Sequence, residues 1–384
     1  PLHPVIPASL NFAALAGWHV EERPRWGWRG WHYHTEHPLE LTDVLNGVDA
    51  GREGSGYFEA WESMLPDMDG FLEWCVAQRQ NRLQWVLLND PERDDMGDSP
   101  QHLRRVQRVT ALVHAWGLLA GADAAIAEVQ QHAWYMVQSS SKTRAAQQAD
   151  IERRLDWMRE AGFDYVATES GSSEFSHPQD TDMLWWMNVT ASEAAARGLR
   201  AYIKCHCSTG QTCPHYRDPH TGGPLNFNLL PMYADARMGV MPHTVQTYAL
   251  DDPAPTYGNA NFSYMLRFAL EQAGSREVVF HGEGAYWVNF DIDVPLFLPL
   301  YGDRRLHDLR LLARGEEARG VPIQGQVTFH SGFQWGYWLS DTVNAMASWD
   351  PLRGEPTLRG ARVLLLRRAL RALGGGGVAD AWAE

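Results

Sequence analysis

Two glutamates in this chain stand in similar surroundings. Glu169 lies in Tyr-Val-Ala-Thr-Glu-Ser-Gly and Glu283 in Val-Val-Phe-His-Gly-Glu-Gly, each closing a β-rich run with a glycine close behind. Two carboxylates facing one another across a gap can divide a hydrolysis between them. One donates a proton to the leaving oxygen and the other acts as nucleophile or base, the apparatus of glycoside hydrolysis. A lone glutamate at such a place is as readily a solvated loop residue or half of a salt bridge, so the paired placement carries the inference. Glu169 is the expected acid and Glu283 the expected nucleophile or base, with the roles open to exchange. Asp90, Asp123 and Glu174 are reserve carboxylates. A carboxyl separation of about 5–5.5 Å would mean retention at the anomeric centre and about 6.5–9.5 Å inversion, a distance sequence does not give.

Aromatic residues supply a second signal, because sugar rings stack their C–H faces on indole while their hydroxyls bond to nearby polar groups. The chain has 17 Trp, and Trp134, Tyr135, Tyr286, Trp287, Trp335, Tyr337 and Trp338 all follow apolar runs where loops are expected. Trp74, Trp157, Trp185 and Trp186 lie in helical stretches and are assigned to packing. Of these aromatics, Tyr286, Trp287, Trp335 and Trp338 are the expected platform, joined by His34, His132, His206 and His243 as hydroxyl partners.

The histidines also admit a chemistry of another class. His32-x-His34 on one strand, with Glu169, His206 and His243 on later ones, resembles the metal-ligand order of amidohydrolase-type barrels. Alternate strand residues point the same way, and neutral imidazoles suit zinc. Under that reading His32, His34, His206 and His243 hold a divalent ion; under the glycosidase reading no cofactor is expected. Those enzymes supply an aspartate at the end of the eighth strand, where this chain has His330. A third reading keeps the aromatic platform without working carboxylates, as a sugar-binding barrel. Cys205, Cys207 and Cys213 cluster near His206 and His215 without paired Cys-x₂₋₄-Cys spacing, leaving zinc, a Cys207–Cys213 disulfide and free thiols all open.

The elements that must position these groups are legible as alternating short apolar runs and amphipathic stretches. Strands are expected at 28–34, 83–90, 117–123, 163–169, 199–206, 240–248, 277–283 and 323–330. Between them apolar residues recur at helical spacing, as in Ile151, Leu155 and Met158 or Leu306, Leu309 and Leu312. Gly117, Gly162, Gly198, Gly274 and Gly320 each stand where a helix gives way to the next strand, the left-handed position that closes a helix. Alternating β and α segments imply a parallel sheet, and eight of them an α/β fold of the (β/α)₈ TIM-barrel type with long strand-to-helix loops. A doubly wound open sheet is the competitor, and it lacks its Gly-x-Gly-x-x-Gly or Walker motif after the first strand. The expected organisation is a leading segment at 1–27, possible remnant of an upstream domain, a barrel at 28–350, and a C-terminal helix with a Gly-rich flexible tail at 351–384.

Composition narrows the partners. With 33 Lys and Arg against 47 Asp and Glu, the net charge is −14, which argues against a nucleic-acid or anionic-membrane surface. No apolar stretch approaches the roughly 20 residues that span a bilayer. A soluble chain acting on a carbohydrate is expected, secreted or periplasmic if a leader was removed before Pro1.

The chain's two ends carry a family resemblance. Pro24-Arg25-Trp26-Gly27-Trp28-Arg29-Gly30 is similar to the Pro-Arg-Phe-x-Trp-Arg-Gly segment that opens the barrel of β-N-acetylhexosaminidases, whose first-strand arginine binds substrate hydroxyls. The resemblance implies that Arg29 binds sugar. The stretch from Gly332 to Trp338, with Trp349-Asp350-Pro351, looks like the Trp-rich eighth-strand region of α-glucuronidases. Hexosaminidases carry Asp-Glu after the fourth strand, where this chain has Thr168-Glu169. The likeness is therefore to TIM-barrel glycoside hydrolases as a broad superfamily.

Overall fold

Each expected run overlaps a strand in the computed structural model, the second and sixth strands beginning one and two residues early. It describes residues 21–33, 40–51, 56–89, 96–127, 133–169, 178–206, 210–245, 247–252, 263–284, 300–330 and 334–374. The barrel strands are β1 (Trp28–Tyr33), β4 (Arg82–Val86), β5 (Leu119–Asp123), β6 (Tyr165–Glu169), β7 (Arg200–Cys205), β10 (Met238–Thr244), β11 (Val279–Glu283) and β12 (Gly325–His330). They close in the order β1-β12-β11-β10-β7-β6-β5-β4, every neighbouring pair parallel. This is a (β/α)₈ TIM barrel, and closure excludes the open doubly wound sheet. Strands covered on both faces read as largely apolar runs, and β1, β6, β10, β11 and β12 are buried along their whole length, their polar side chains included.

Helices cover the outside: α2 (Trp61–Ala77), α3 (Pro100–Ala115), α4 (Arg144–Glu160), α5 (Asp180–Ala196), α6 (Tyr264–Gln272), α7 (Leu300–Arg319) and α8 (Gln334–Trp349). A short α1 (Glu40–Leu45) and a hairpin of β2 (Ala50–Gly51) and β3 (Phe58–Glu59) intervene between β1 and α2. Side chains fix where helices begin. The hydroxyls of Ser99 and Thr143 accept from the backbone N–H of His102 (3.1 Å) and Ala146 (3.2 Å), satisfying donors the first turn leaves free. Of the five expected closing glycines, four take positive φ, 76° at Gly117, 92° at Gly162, 75° at Gly198 and 68° at Gly320. Gly274 does not; α6 closes on Ala273, whose N–H bonds to Ala269.

The helical layer departs from the expected alternation between β7 and β10. There the described chain forms a hairpin of β8 (Thr212–Arg217) and β9 (Pro224–Asn226) and then a 3-10 helix over Phe227–Tyr233, in place of an α-helix. The C-terminal helix α9 (Leu358–Gly374) packs beside α7 and α8. Among the described residues no helix is long and apolar enough to cross a membrane.

The barrel interior has an aromatic floor. Trp28 meets Tyr165 and Tyr202 edge-on, both with ring centroids 4.8 Å away, and the Arg82 guanidinium lies 4.4 Å above the indole. Ala167, Met241, Val279 and Val327 complete this cluster. Rings of this size fit here because the paired position on the neighbouring strand is a glycine. A β-carbon on Gly121 would sit inside the Tyr165 ring, and one on Gly239 inside that of Tyr202.

Candidate active site

Side chains alternate along a strand, so the interior position two residues beyond each floor residue, or four, decides what reaches the C-terminal mouth. From Trp28 the count runs through Gly30 to His32; from Tyr165, through Ala167 to Glu169; from Tyr202, to Lys204 and then His206, one residue past β7. By the same count β5 supplies Asp123, β10 His243, β11 His281 and Glu283, and β12 Phe329. All are buried except His206, which is half-buried.

These groups are wired together. His32 Nε2 lies 2.7 Å from Asp123 Oδ2, and its Nδ1 lies 2.7 Å from His281 Nε2. His281 Nδ1 lies in turn 2.8 Å from His243 Nδ1, which is also 2.9 Å from the His281 main-chain oxygen. Beyond it, His243 Nε2 faces Glu283 Oε1 at 3.4 Å. The Asp123 carboxylate at one end and the His281 carbonyl beside His243 Nδ1 set the direction of the chain, because both can only accept. With neutral rings, His32 donates from Nε2 to Asp123, His281 donates from Nε2 to His32, and His243 donates from Nδ1 to His281. Each proton points toward Asp123, and the lone pair on His243 Nε2 points toward Glu283. Burial holds His32 below the usual imidazole range, against the pull of Asp123, in keeping with a neutral ring.

Lys204 and Glu169 form a second buried unit as an ion pair between adjacent strands. Burial raises the Glu169 carboxyl above its ordinary range; the Lys204 ammonium opposes that shift and Asp123 adds to it. Phe329 sets its ring roughly edge-on to His32, His243 and His281, with centroids 6.1–6.4 Å away, so the imidazoles meet an apolar wall on the β12 side.

Arg305 braces this layer from outside the barrel. It reaches from α7 to the Glu283 carbonyl (3.2 Å), the Thr244 hydroxyl and the Tyr248 carbonyl, and pairs with Asp308 at 3.0 Å. Gly282 leaves the room this side chain needs.

The structure therefore brings Asp123, Glu169, His243 and Glu283 into one layer with His206 at its rim. It also shows two participants that the sequence offered without a role, Lys204 and His281. Other expected contacts lie elsewhere. Arg29 sits near the opposite end of β1 and turns outward. Its guanidinium donates to the carbonyls of Trp26 (2.6 Å) and Arg79 (3.0 Å) and lies 5.0 Å over Trp349. Burial, with Arg82 and Arg79 adding to it, lowers its pKa to about 10. The motif that suggested sugar binding here locks the bottom of the barrel.

His330 is one residue out of phase with the interior and bonds outward to Asp341 of α8. The expected loop after the eighth strand is helical from residue 334. In α8, Tyr337 is fully buried beside Tyr301 and His330, and Trp338 is half-buried. Trp134 is a core residue, edge-on to Trp157 under Arg154. His34, Asp90, His132, Glu174, Tyr286, Trp287, Cys207 and the side chain of Trp335 lie outside the described residues. Cys205 and Cys213 are buried free thiols, which removes the Cys207–Cys213 disulfide.

The four-histidine metal set does not assemble as expected, because His32 spends both ring nitrogens on Asp123 and His281. A different group does converge. His206, His243 and Glu283 each offer a ligand atom within 4.8 Å of the others.

No protein-family model and no curated protein matches this sequence. Solved structures do resemble it in fold. A chitobiase from Flavobacterium johnsoniae aligns with a TM-score of 0.52 at 10% identity, over 91% of this chain and 53% of that one. The protein CpGH84B aligns with a TM-score of 0.54 at 10% identity, over 94% and 53%. An O-GlcNAc hydrolase variant from Thermobaculum terrenum aligns with a TM-score of 0.52 at 9% identity, over 93% and 65%. At such identities the likeness is one of fold. The chain spans about half the length of the first two.

Proposed function

We propose that this chain is a glycoside hydrolase acting on an oligo- or polysaccharide, with Glu169 as general acid and Glu283 as nucleophile or base. The observation that carries the reading is the pair itself: two buried carboxylates at the mouth ends of β6 and β11, three positions apart around the barrel, in different surroundings. Divergent environments let two like groups take opposite roles. Burial, with Asp123 adding to it, raises the Glu169 carboxyl against its ion pair with Lys204, the direction a proton donor needs. Glu283 faces an imidazole nitrogen whose lone pair can receive a proton, as a base needs. Arg305 holds the Glu283 main chain in place. The names chitobiase and O-GlcNAc hydrolase, borne by proteins of like fold, agree with a sugar substrate. Asp123, His206, His243 and Trp338 are the described residues assigned to substrate or its immediate surroundings.

The test is a screen on chromogenic glycosides with Glu169→Gln and Glu283→Gln. Each is expected to lower turnover by about 10²–10⁴-fold while sugar binding survives. Unchanged turnover in both variants would overturn the assignment. Binding without turnover in the unsubstituted chain would indicate a sugar-binding barrel, and turnover abolished by chelator a metal hydrolase.

A further inference from the structure

We infer that His206, His243 and Glu283 form a binding site for a divalent transition-metal ion of the zinc type. The three side chains reach one space from the mouth ends of β7, β10 and β11, with ligand atoms within 4.8 Å of one another. His243 Nε2 and Glu283 Oε1 are 3.4 Å apart. That exceeds the roughly 2.7–3.2 Å of an N–H···O bond. It matches the roughly 3.3–3.4 Å between two ligands that each stand about 2.0–2.1 Å from one ion at a tetrahedral angle.

The protons are already arranged for ligation. His243 Nδ1 faces the carbonyl of His281 at 2.9 Å, which can only accept, so Nδ1 carries the hydrogen and Nε2 the lone pair. Ligating imidazoles are commonly held in this way, the second nitrogen donating to a carbonyl or carboxylate that fixes the ring and raises its basicity. Here the support continues through His281 and His32 to the carboxylate of Asp123. His206 lies stacked on His243, centroids 4.5 Å apart and planes 26° from parallel, bringing a second imidazole edge to the same place. Two neutral nitrogens and one carboxylate suit zinc or cobalt, and three protein ligands leave a fourth position open.

This site shares Glu283 with the proposed reaction, and its effect on turnover rests on that reading. An ion held by Glu283 Oε1 draws charge from the carboxylate and occupies the space beside it, so occupancy is expected to lower turnover.

The experiment uses the full chain stripped of metal by chelation and dialysis, titrated with Co²⁺ by visible absorption and with Zn²⁺ by calorimetry. One equivalent is expected to bind. His206→Ala, His243→Ala and the isosteric Glu283→Gln should each weaken binding at least tenfold, and His281→Phe about 10–100-fold. His220→Ala, at a surface histidine paired with Glu271, should change nothing. No binding, or binding that the three ligand variants leave intact, overturns the site. Zinc is expected to lower turnover; acceleration by zinc overturns that expectation. Binding needs no substrate, so the two readings fail separately. Cobalt bound by a chain without turnover sinks the glycosidase, and turnover lost in Glu169→Gln without cobalt binding sinks the metal site.

Discussion

His32 and His281 are joined ring to ring, Nδ1 to Nε2 at 2.7 Å, although β12 runs between their strands. The contact runs beside the Phe329 ring and ties the imidazole beside Asp123 to the one beside His243. His281 is thus a positioning residue: its ring bonds hold the His243 ring in place, while its main-chain carbonyl, which a substitution keeps, fixes which nitrogen of His243 bears the proton. Replacing it by phenylalanine keeps the volume and removes the bond. We expect kcat on a glycoside substrate to fall about 10–100-fold with KM little changed. A rise in KM alone would show that His281 touches substrate instead.

The environment of Glu169 gives a pH prediction with a definite sign. A general acid works only while protonated, so activity is present below its pKa and lost as pH rises through it. Burial moves that limb above the ordinary carboxylate range, with Lys204 restraining it. Lys204→Met removes the restraint, and the alkaline limb of kcat/KM should move to higher pH. Asp123→Asn removes a neighbouring negative charge and should move it to lower pH. Limbs that move in the opposite senses would remove Glu169 from the acid role.

Asp308 makes folding stability depend on pH. Burial pushes its carboxyl up to about 6 from an ordinary value of 3.8, against the pull of Arg305. Between those values the folded chain keeps a proton that the unfolded chain has released. Stability therefore falls as pH rises through this window and levels off above it. Arg305→Met removes the opposing cation, so the folded value climbs and the loss extends to higher pH. Urea unfolding should show a deficit on the order of 3–5 kcal/mol at pH 8 and a smaller one at pH 5. Equal deficits at both would mean that Asp308 does not titrate there.

The aromatic floor predicts a stability effect away from the chemistry. Gly121→Ala places a methyl group where the Tyr165 ring lies. We expect a cost of about 1–3 kcal/mol in denaturant unfolding, recovered in large part by adding Tyr165→Leu. A double variant no more stable than Gly121→Ala alone would show that the clash is not with the ring.

Much of this fold is legible in the sequence because its signals are local. Glycines such as Gly117 and Gly162 mark helix ends through a conformation other residues avoid, and apolar runs mark strands covered on both faces. Gly274 and the segment between β7 and β10 escape the pattern, since nothing local distinguishes a closing glycine from a surface one, or a hairpin and 3-10 turn from a short helix. The site was legible in type and poorly legible in facing. His330 and Phe329 differ by one position, and only the parity of β12 decides which looks inward. Counting in twos from His206 and from Glu283 singles out Lys204 and His281, whereas no candidate named on the eighth run fixes the parity of β12. Arg29 and Trp134 were misplaced for another reason: their types suit ligand contact, but their partners are carbonyls and rings distant in sequence.

Trp28, Tyr165 and Tyr202, packed edge to face beside Arg82, close the base of the described barrel beneath its polar layer. Among the described residues these rings fill the base, so the polar layer faces the strand-end rim. The residues of that rim can therefore diversify in chemistry while the sealed base goes on closing the cylinder, a division of labour that Gly121 and Gly239 make possible by giving the rings their room.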